Sequence, residues 1–429
     1  MTIRDEMGEI GFDDTIDGGM MSSLTWIDNS EKERQKALEF VDTFREKETR
    51  DELGIGVIRD AFSETLFPGT TTVQTRARYF LLIPWVYQRT AEYAAKGRSF
   101  AQVKEQAELL EKSLMRALKS GGDEAGLFGR VAGENISRLA SDVYWNGLGY
   151  WGMRRYEASR IQLIRELAAS GGAQKLKEMS DEDRPITTRS DVYWHPGLPK
   201  APADLFDSTT FALSEEESKY LRDMLLENAG RSLLAHLVSS QSEMVNCDAP
   251  WTHPGAKDLP EHNKRELTHA KHFSLVMNGA ALLYNLMLAE KRIALGWPDP
   301  HDTVDKYDAR VAQWIGLMDA ASDELQQWDV NDFWALVEGA GARVSSRTRG
   351  FVGKWLSTAL ADTAGAVRDE TIRALIRRRE MELKGGLARL ESNHALGLWN
   401  EASGVEPLNY RWGTVQVIVN DIVKGTVRA

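Results

Sequence analysis

Apolar residues along this chain recur mostly at steps of three and four, the spacing that places them on one side of an α-helix. Ser30 with Glu33 reads as a capping box, and Ala37, Leu38, Val41 and Phe44 follow at helical spacing. A second helix is predicted over 52–66, ended by Phe67-Pro68-Gly69. Thr70, Thr71 and Thr72 offer hydroxyl caps to a third, running to about Tyr93 with Pro84 as a kink. Further helices are predicted over 99–120 and 154–169, each followed by a Gly-Gly pair. From Ser214, followed by Glu215, Glu216 and Glu217, the pattern is almost wholly helical. Its segments are 266–295, 302–325, 330–341, 344–364, 366–392 and 411–424. The segment 266–295 is apolar on most of its circumference, which marks a central core helix. Period-two alternation is nearly absent. Val415–Val419 suits a short strand or a terminal helix equally. The expected fold is all-α (mainly α), two helical domains with room for a small β element in the first.

Punctuation suggests the domain limits. Residues 1–21 carry six acids against Arg4 and read as a disordered acidic tail. An N-terminal helical domain is expected over 22–185. A Pro-rich linker at 186–212 follows, where Pro196, Pro199 and Pro202 cluster just after Pro185. A C-terminal helical domain is expected over 213–429. Ser141–Trp145 recurs as Ser190–Trp194, but the flanks differ, so a duplicated domain does not follow.

Charge and cysteine content narrow the function classes. The 429 residues hold 64 acids and 53 bases, a net charge of −11. The single cysteine, Cys247, excludes a disulfide framework and a multi-cysteine zinc site. No run approaches the ~18 apolar residues of a spanning helix. A cytoplasmic location without membrane contact is the expectation, and no cofactor is expected.

Three constellations could carry chemistry. His253, His262, His269 and His272 lie near Cys247 and include zinc-ligand types, yet His-Glu-x-x-His is absent and helix-packing histidines fit better. His269-Ala270-Lys271 imitates half of a phospholipase D-type motif, but the helical setting and apolar Val276 reject it. A serine-hydrolase elbow, a phosphate-cradling loop and a dinucleotide fingerprint are missing. The second constellation is polar: Glu46, Glu48, Arg50, Asp51, Glu52, Arg59 and Asp60, then Thr70, Thr72, Gln74, Thr75, Arg76 and Arg78. Arg76 and Arg78 beside a hydroxyl-rich helix start suit a phosphate. Caps and buried ion pairs with Asp51 or Asp60 are the simpler account. The third is basic: Arg343 to Arg389 holds eleven bases against five acids, a net +6, leaving −17 elsewhere. Arg373, Arg377 and Arg378 lie there on one predicted helix. Such a face binds nucleic-acid backbone or docks on acidic protein. The thirteen tryptophans, with Trp145 and Trp151 flanking 146–150, are core by their spacing.

Several segments carry a family resemblance: Ser23–Asp28, Phe44–Lys47, Thr49–Gly56, Ile58–Phe62, Leu66–Thr70, Gln74–Phe80 with Pro84-Trp85, and later Asn278–Asn285. Together they resemble a bacterial family known only as a domain of unknown function, over nearly the whole chain after residue 22. The resemblance implies a setting in antiviral defence islands, beside helicases and phospholipase D-like nucleases. It assigns no site residues.

Two functions follow as expectations. The first is a non-enzymatic helical adaptor of an antiviral defence complex. It would contact partner protein subunits, and DNA or RNA through Thr70, Thr72, Gln74, Arg76, Arg78, Arg373, Arg377 and Arg378. The alternative is a metal-dependent enzyme acting on a phosphodiester through Glu48, Asp51, Glu52 and Asp60. An enzyme requires those carboxylates to converge in one pocket, whereas an adaptor leaves them paired with arginines.

Overall fold

The structure, a computed structural model, describes residues 51–427 except 131–132, 134–135, 137, 179–192, 241–244 and 300. The acidic tail, the helix predicted from Ser30, and Glu46, Glu48 and Arg50 lie outside the described residues. Among those described, sixteen α-helices and three short 3₁₀ turns carry the fold, without a strand. The chain is mainly α, and the small β element reduces to an isolated bridge between Arg154 and Trp194.

The helices of the first part are α1 (Gly56–Leu66), α2 (Tyr79–Ala94), α3 (Phe100–Ser120), α4 (Ala140–Tyr150) and α5 (Arg160–Glu178). Then come α6 (Glu215–Ala229), α7 (Leu233–Ser239), α8 (Glu261–Ala294), α9 (Thr303–Ala320) and α10 (Ser322–Gln326). The last are α11 (Val330–Gly339), α12 (Ser346–Ala361), α13 (Thr363–Arg368), α14 (Glu370–Lys384), α15 (Asn393–Gly397) and α16 (Trp412–Val427).

Helix α8 is the centre. It is long and apolar enough to cross a membrane, but 83% of its most apolar 18-residue window is buried in the protein. Its carbonyls at Ala270, Leu275 and Val276 each accept a bond from an outlying ring, at 2.8–2.9 Å: Tyr410 Oη, Trp314 Nε1 and Trp355 Nε1. Such a donor must be satisfied when a large ring is buried. Gly279 makes the α9 approach close, since a Cβ there would lie 2.2 Å from the Trp314 ring.

Local sequence explains several boundaries. Ser214 accepts from Glu217 N and Glu217 returns a bond to Ser214 N, completing the capping box of α6. Helix α1 begins at Gly56 rather than 52, because the Asp51 carboxylate takes the Ile55 and Gly56 amides and turns the chain there. Helix α2 begins at Tyr79, well past the predicted caps Thr70, Thr71 and Thr72. Thr70 donates to Phe67 O, and Gln74 bonds Gly69 O and Thr71 N, so residues 69–74 form a turn. Helix α5 runs past Gly171, where the absent side chain lets the Ala94 carbonyl approach. The predicted helix 366–392 is broken around Asp369, which caps α14, and at Gly385, whose φ is +53°. Val415–Val419 is helical.

The expected boundary at 186–212 does not divide two cores. The described residues between 51 and 427 fall in one compact unit. The described part of the Pro-rich segment is strapped to the first block: Trp85 Nε1 donates to Pro199 O at 2.8 Å, Thr209 N to Ala117 O at 3.1 Å and Phe211 N to Asp123 at 2.6 Å. Helix α1 packs on α7, α8 and α11, across the supposed boundary. Proline density marks an extended strap here, because proline stops helices without ending a core.

One buried acid gives the fold a pH signature. Glu111 on α3 accepts from Ser141 Oγ at 2.6 Å and Ser141 N at 3.0 Å. Burial lifts its carboxyl to about 7. Below the ordinary carboxyl range, folded and unfolded chains both hold the proton. Between about 4.3 and 7 only the folded chain holds it, so this contribution to stability falls as pH rises through that window. Glu111→Gln is expected to gain up to about 3 kcal/mol over the parent at pH 8 and nothing at pH 4. Thermal unfolding at the two pH values checks this; an equal difference at both contradicts it.

Candidate functional site

The loop before α2 is where the sequence pointed to an anion, and the anions are the protein's own. Arg76 grips Asp421 of α16 with Nε and Nη2, at 2.9 and 2.8 Å. Asp421 also accepts from Ala77 N at 2.9 Å. The Tyr144 hydroxyl takes the Thr75 and Arg76 amides at 2.8 and 3.0 Å. The amides and guanidinium that would hold a phosphate are thereby filled.

Arg78 is used up in the same way. It forms a fork on Glu217 at 3.1 and 2.7 Å and adds Thr209 Oγ1 and Thr210 O. Both side chains of the pair are less than a tenth exposed. Thr70 is buried, and its carbonyl accepts from Arg411. Thr72 is exposed and offers its carbonyl to Thr414. Gln74 is buried within its own turn. The predicted partners Asp51 and Asp60 are replaced by Asp421 and Glu217. Arg411 and Tyr410 both adopt left-handed backbone, at φ +70° and +51°. Such strain persists only when neighbours enforce it. Here Arg411 binds Glu64 at 2.6 Å and Tyr410 is anchored to α8.

Among the described residues, Asp51, Glu52 and Asp60 of the enzymatic alternative do not converge. Asp51 caps α1, and Asp60 pairs with Arg59 on the surface. Glu52 is buried between Arg389, at 2.8 Å, and the Lys384 ammonium. Tyr284 and Glu380 extend this knot: the Tyr284 hydroxyl donates to Glu380 at 2.5 Å, and Glu380 accepts the Arg389 and Leu390 amides. Burial and the adjoining Arg389 press the Lys384 ammonium downward, while contact with Glu52 favours its charge. Glu48 lies outside the described residues. Among the described residues no group of three or more His, Cys, Asp or Glu side chains is placed to hold a metal.

The histidines are spread over separate partners. His269 accepts from Trp328 Nε1 at Nδ1, which places a proton on Nε2 facing Asp332 at 2.9 Å. His272 faces Glu324, and His262 faces Arg231 O.

The basic stretch is divided by burial. Arg373 pairs with Glu290, Arg349 with Glu338, and Lys384 and Arg389 with Glu52. Arg379 is buried against Leu53 O, Gly54 O and Thr348 Oγ1. Arg343, Arg347, Lys354, Arg368, Arg377 and Arg378 remain exposed. Among the described residues Arg377 pairs with Glu391, at 3.7 Å. No motif marks Lys112, Arg116 and Lys119, which share a face of α3; their helical spacing was the available signal.

Removing a carboxylate from either clamp leaves a guanidinium unpaired. Glu217→Gln is expected to cost about 3 kcal/mol, and the more exposed Asp421→Asn about 2 kcal/mol. Urea unfolding checks both. Values within about 0.5 kcal/mol of the parent would contradict the assignment.

No curated protein and no solved structure matches the chain. A family model does match, over residues 21–425. The chain therefore belongs to the family of unknown function DUF6361.

Proposed function

We propose that the chain is a non-enzymatic helical adaptor of a bacterial antiviral defence system. It contacts partner proteins and, through the exposed cations of α12 and α14, the backbone of DNA or RNA. The observation that carries this reading is the dispersal of Asp51, Glu52 and Asp60 onto a helix cap and separate ion pairs. Asp51, Glu52 and Asp60 are engaged by different partners, the arrangement an adaptor leaves and not the convergence a shared metal ion needs. The defence setting comes from the family resemblance, and an adaptor suits a neighbourhood in which helicases and nucleases supply the chemistry.

Arg377 and Arg378 carry the nucleic-acid part of the proposal. Arg76 and Arg78 leave it, because their guanidinium groups are committed inside the protein. Binding of labelled single- and double-stranded DNA and RNA across a salt series tests this. A footprint of two to four phosphates should give a log–log salt slope between about −1.5 and −3.5. Replacing both Arg377 and Arg378 by Glu should weaken binding at least about tenfold. Absence of binding at low salt would contradict the nucleic-acid role and leave this face to a protein partner.

A further inference from the structure

Helices α8, α9, α13 and α14 frame a cleft of about 420 Å³. Helix α9 packs on α8 and α13, and α14 packs on α8, so the cleft is walled by elements that touch one another. Its floor is apolar: Leu286 of α8, Val311 and Ile315 of α9, and Val367 of α13. Ala312 and Ala364 stand at its sides, and their short side chains leave the space open.

Charges of both signs rim this floor. Glu290 of α8 and Arg373 of α14 pair with each other, which ties the two helices together. The other three are used by no such contact. The side chains of Asp308 on α9, Arg368 at the end of α13 and Glu370 at the start of α14 form no ion pair or hydrogen bond among the described residues. Arg368 and Glu370 share one lip, separated by Asp369, whose carboxylate is occupied in capping α14 through Thr371 N at 2.7 Å. Asp308 reaches the same cleft from a different helix. Three carboxylates and two guanidinium groups give the lining a net charge of −1.

We infer that this cleft binds a free basic α-amino acid, of the lysine, ornithine or arginine type. Such a ligand carries an α-carboxylate for Arg368 and an α-ammonium for Glu370, which adjoin on one lip. Its alkyl stem lies on the apolar floor, and its distal cation reaches Asp308. The ligand's net +1 balances the lining, and each of the three unused charges meets its opposite. The cleft falls within the ~300–1,000 Å³ typical of small-molecule pockets, with an apolar lining and few polar groups to fix orientation. The inference does not rest on the proposed adaptor role, and the site does not use Arg377 or Arg378.

Isothermal titration calorimetry of the full chain at about 50 mM salt, with L-lysine, L-ornithine and L-arginine, tests this. At least one of the three should bind with a Kd tighter than about 1 mM. Three analogues should each bind at least about tenfold more weakly. They are L-leucine, which lacks the distal cation, cadaverine, which lacks the α-carboxylate, and Nα-acetyl-lysine amide, which lacks both α-charges. Arg368→Ala and Asp308→Asn should each weaken binding of the best amino acid at least about tenfold. Their melting temperatures should stay within about 2 °C of the parent, because neither side chain has an ion pair to lose. Binding should survive Arg377→Glu with Arg378→Glu, which separates this cleft from the adaptor surface. Absence of binding by all three amino acids, or equal binding by the parent and both cleft variants, would overturn the inference. Equal affinity for Nα-acetyl-lysine amide would also overturn it, and would leave the cleft to a lysine side chain of a partner protein.

Discussion

Arg76 and Arg78 stand two residues apart on one loop, and their carboxylates come from different helices far along the chain. Glu217 is 139 residues away and Asp421 345 residues away. Charges so little exposed are tolerable only when each guanidinium is matched and its remaining donors are filled. Meeting that condition brings α6 and α16 to the start of α2. Helix α16 then packs along α6, where Gly425 leaves room for Ser218. The first block therefore cannot complete its own polar interior without the last helix.

The same logic governs the knot around Glu52. A carboxylate beside the start of α1 meets Lys384 and Arg389 from the C-terminal region. Basic residues that look like a nucleic-acid footprint by count are thus split into internal counter-ions and a smaller exposed set. Arg377 and Arg378 on α14 belong to the exposed set.

What was legible in the sequence was local. The Ser214 capping box, the apolar circumference of α8 and the near absence of strand patterning all depend on neighbours within about one helical turn. What was not legible depended on distant partners. Thr70, Thr71 and Thr72 read as caps, but Gln74 and Arg411 recruit this segment into a turn, so α2 starts only at Tyr79. The pairing of Arg76 and Arg78 was foreseen in kind, while its carboxylates were not, because no periodicity connects residue 78 to residue 217. The described part of the Pro-rich segment, 193–212, is largely irregular backbone, and irregular backbone is not by itself a domain boundary.

Distant ion pairs tie the described residues between 51 and 427 into one cooperative body. Native-state hydrogen exchange, followed by mass spectrometry in rising urea, measures that cooperativity. The most protected amides of α2 and of α8 should merge onto one unfolding isotherm, with the same free energy and denaturant slope. Two isotherms that stay separate to the midpoint, one for each helix, would contradict it.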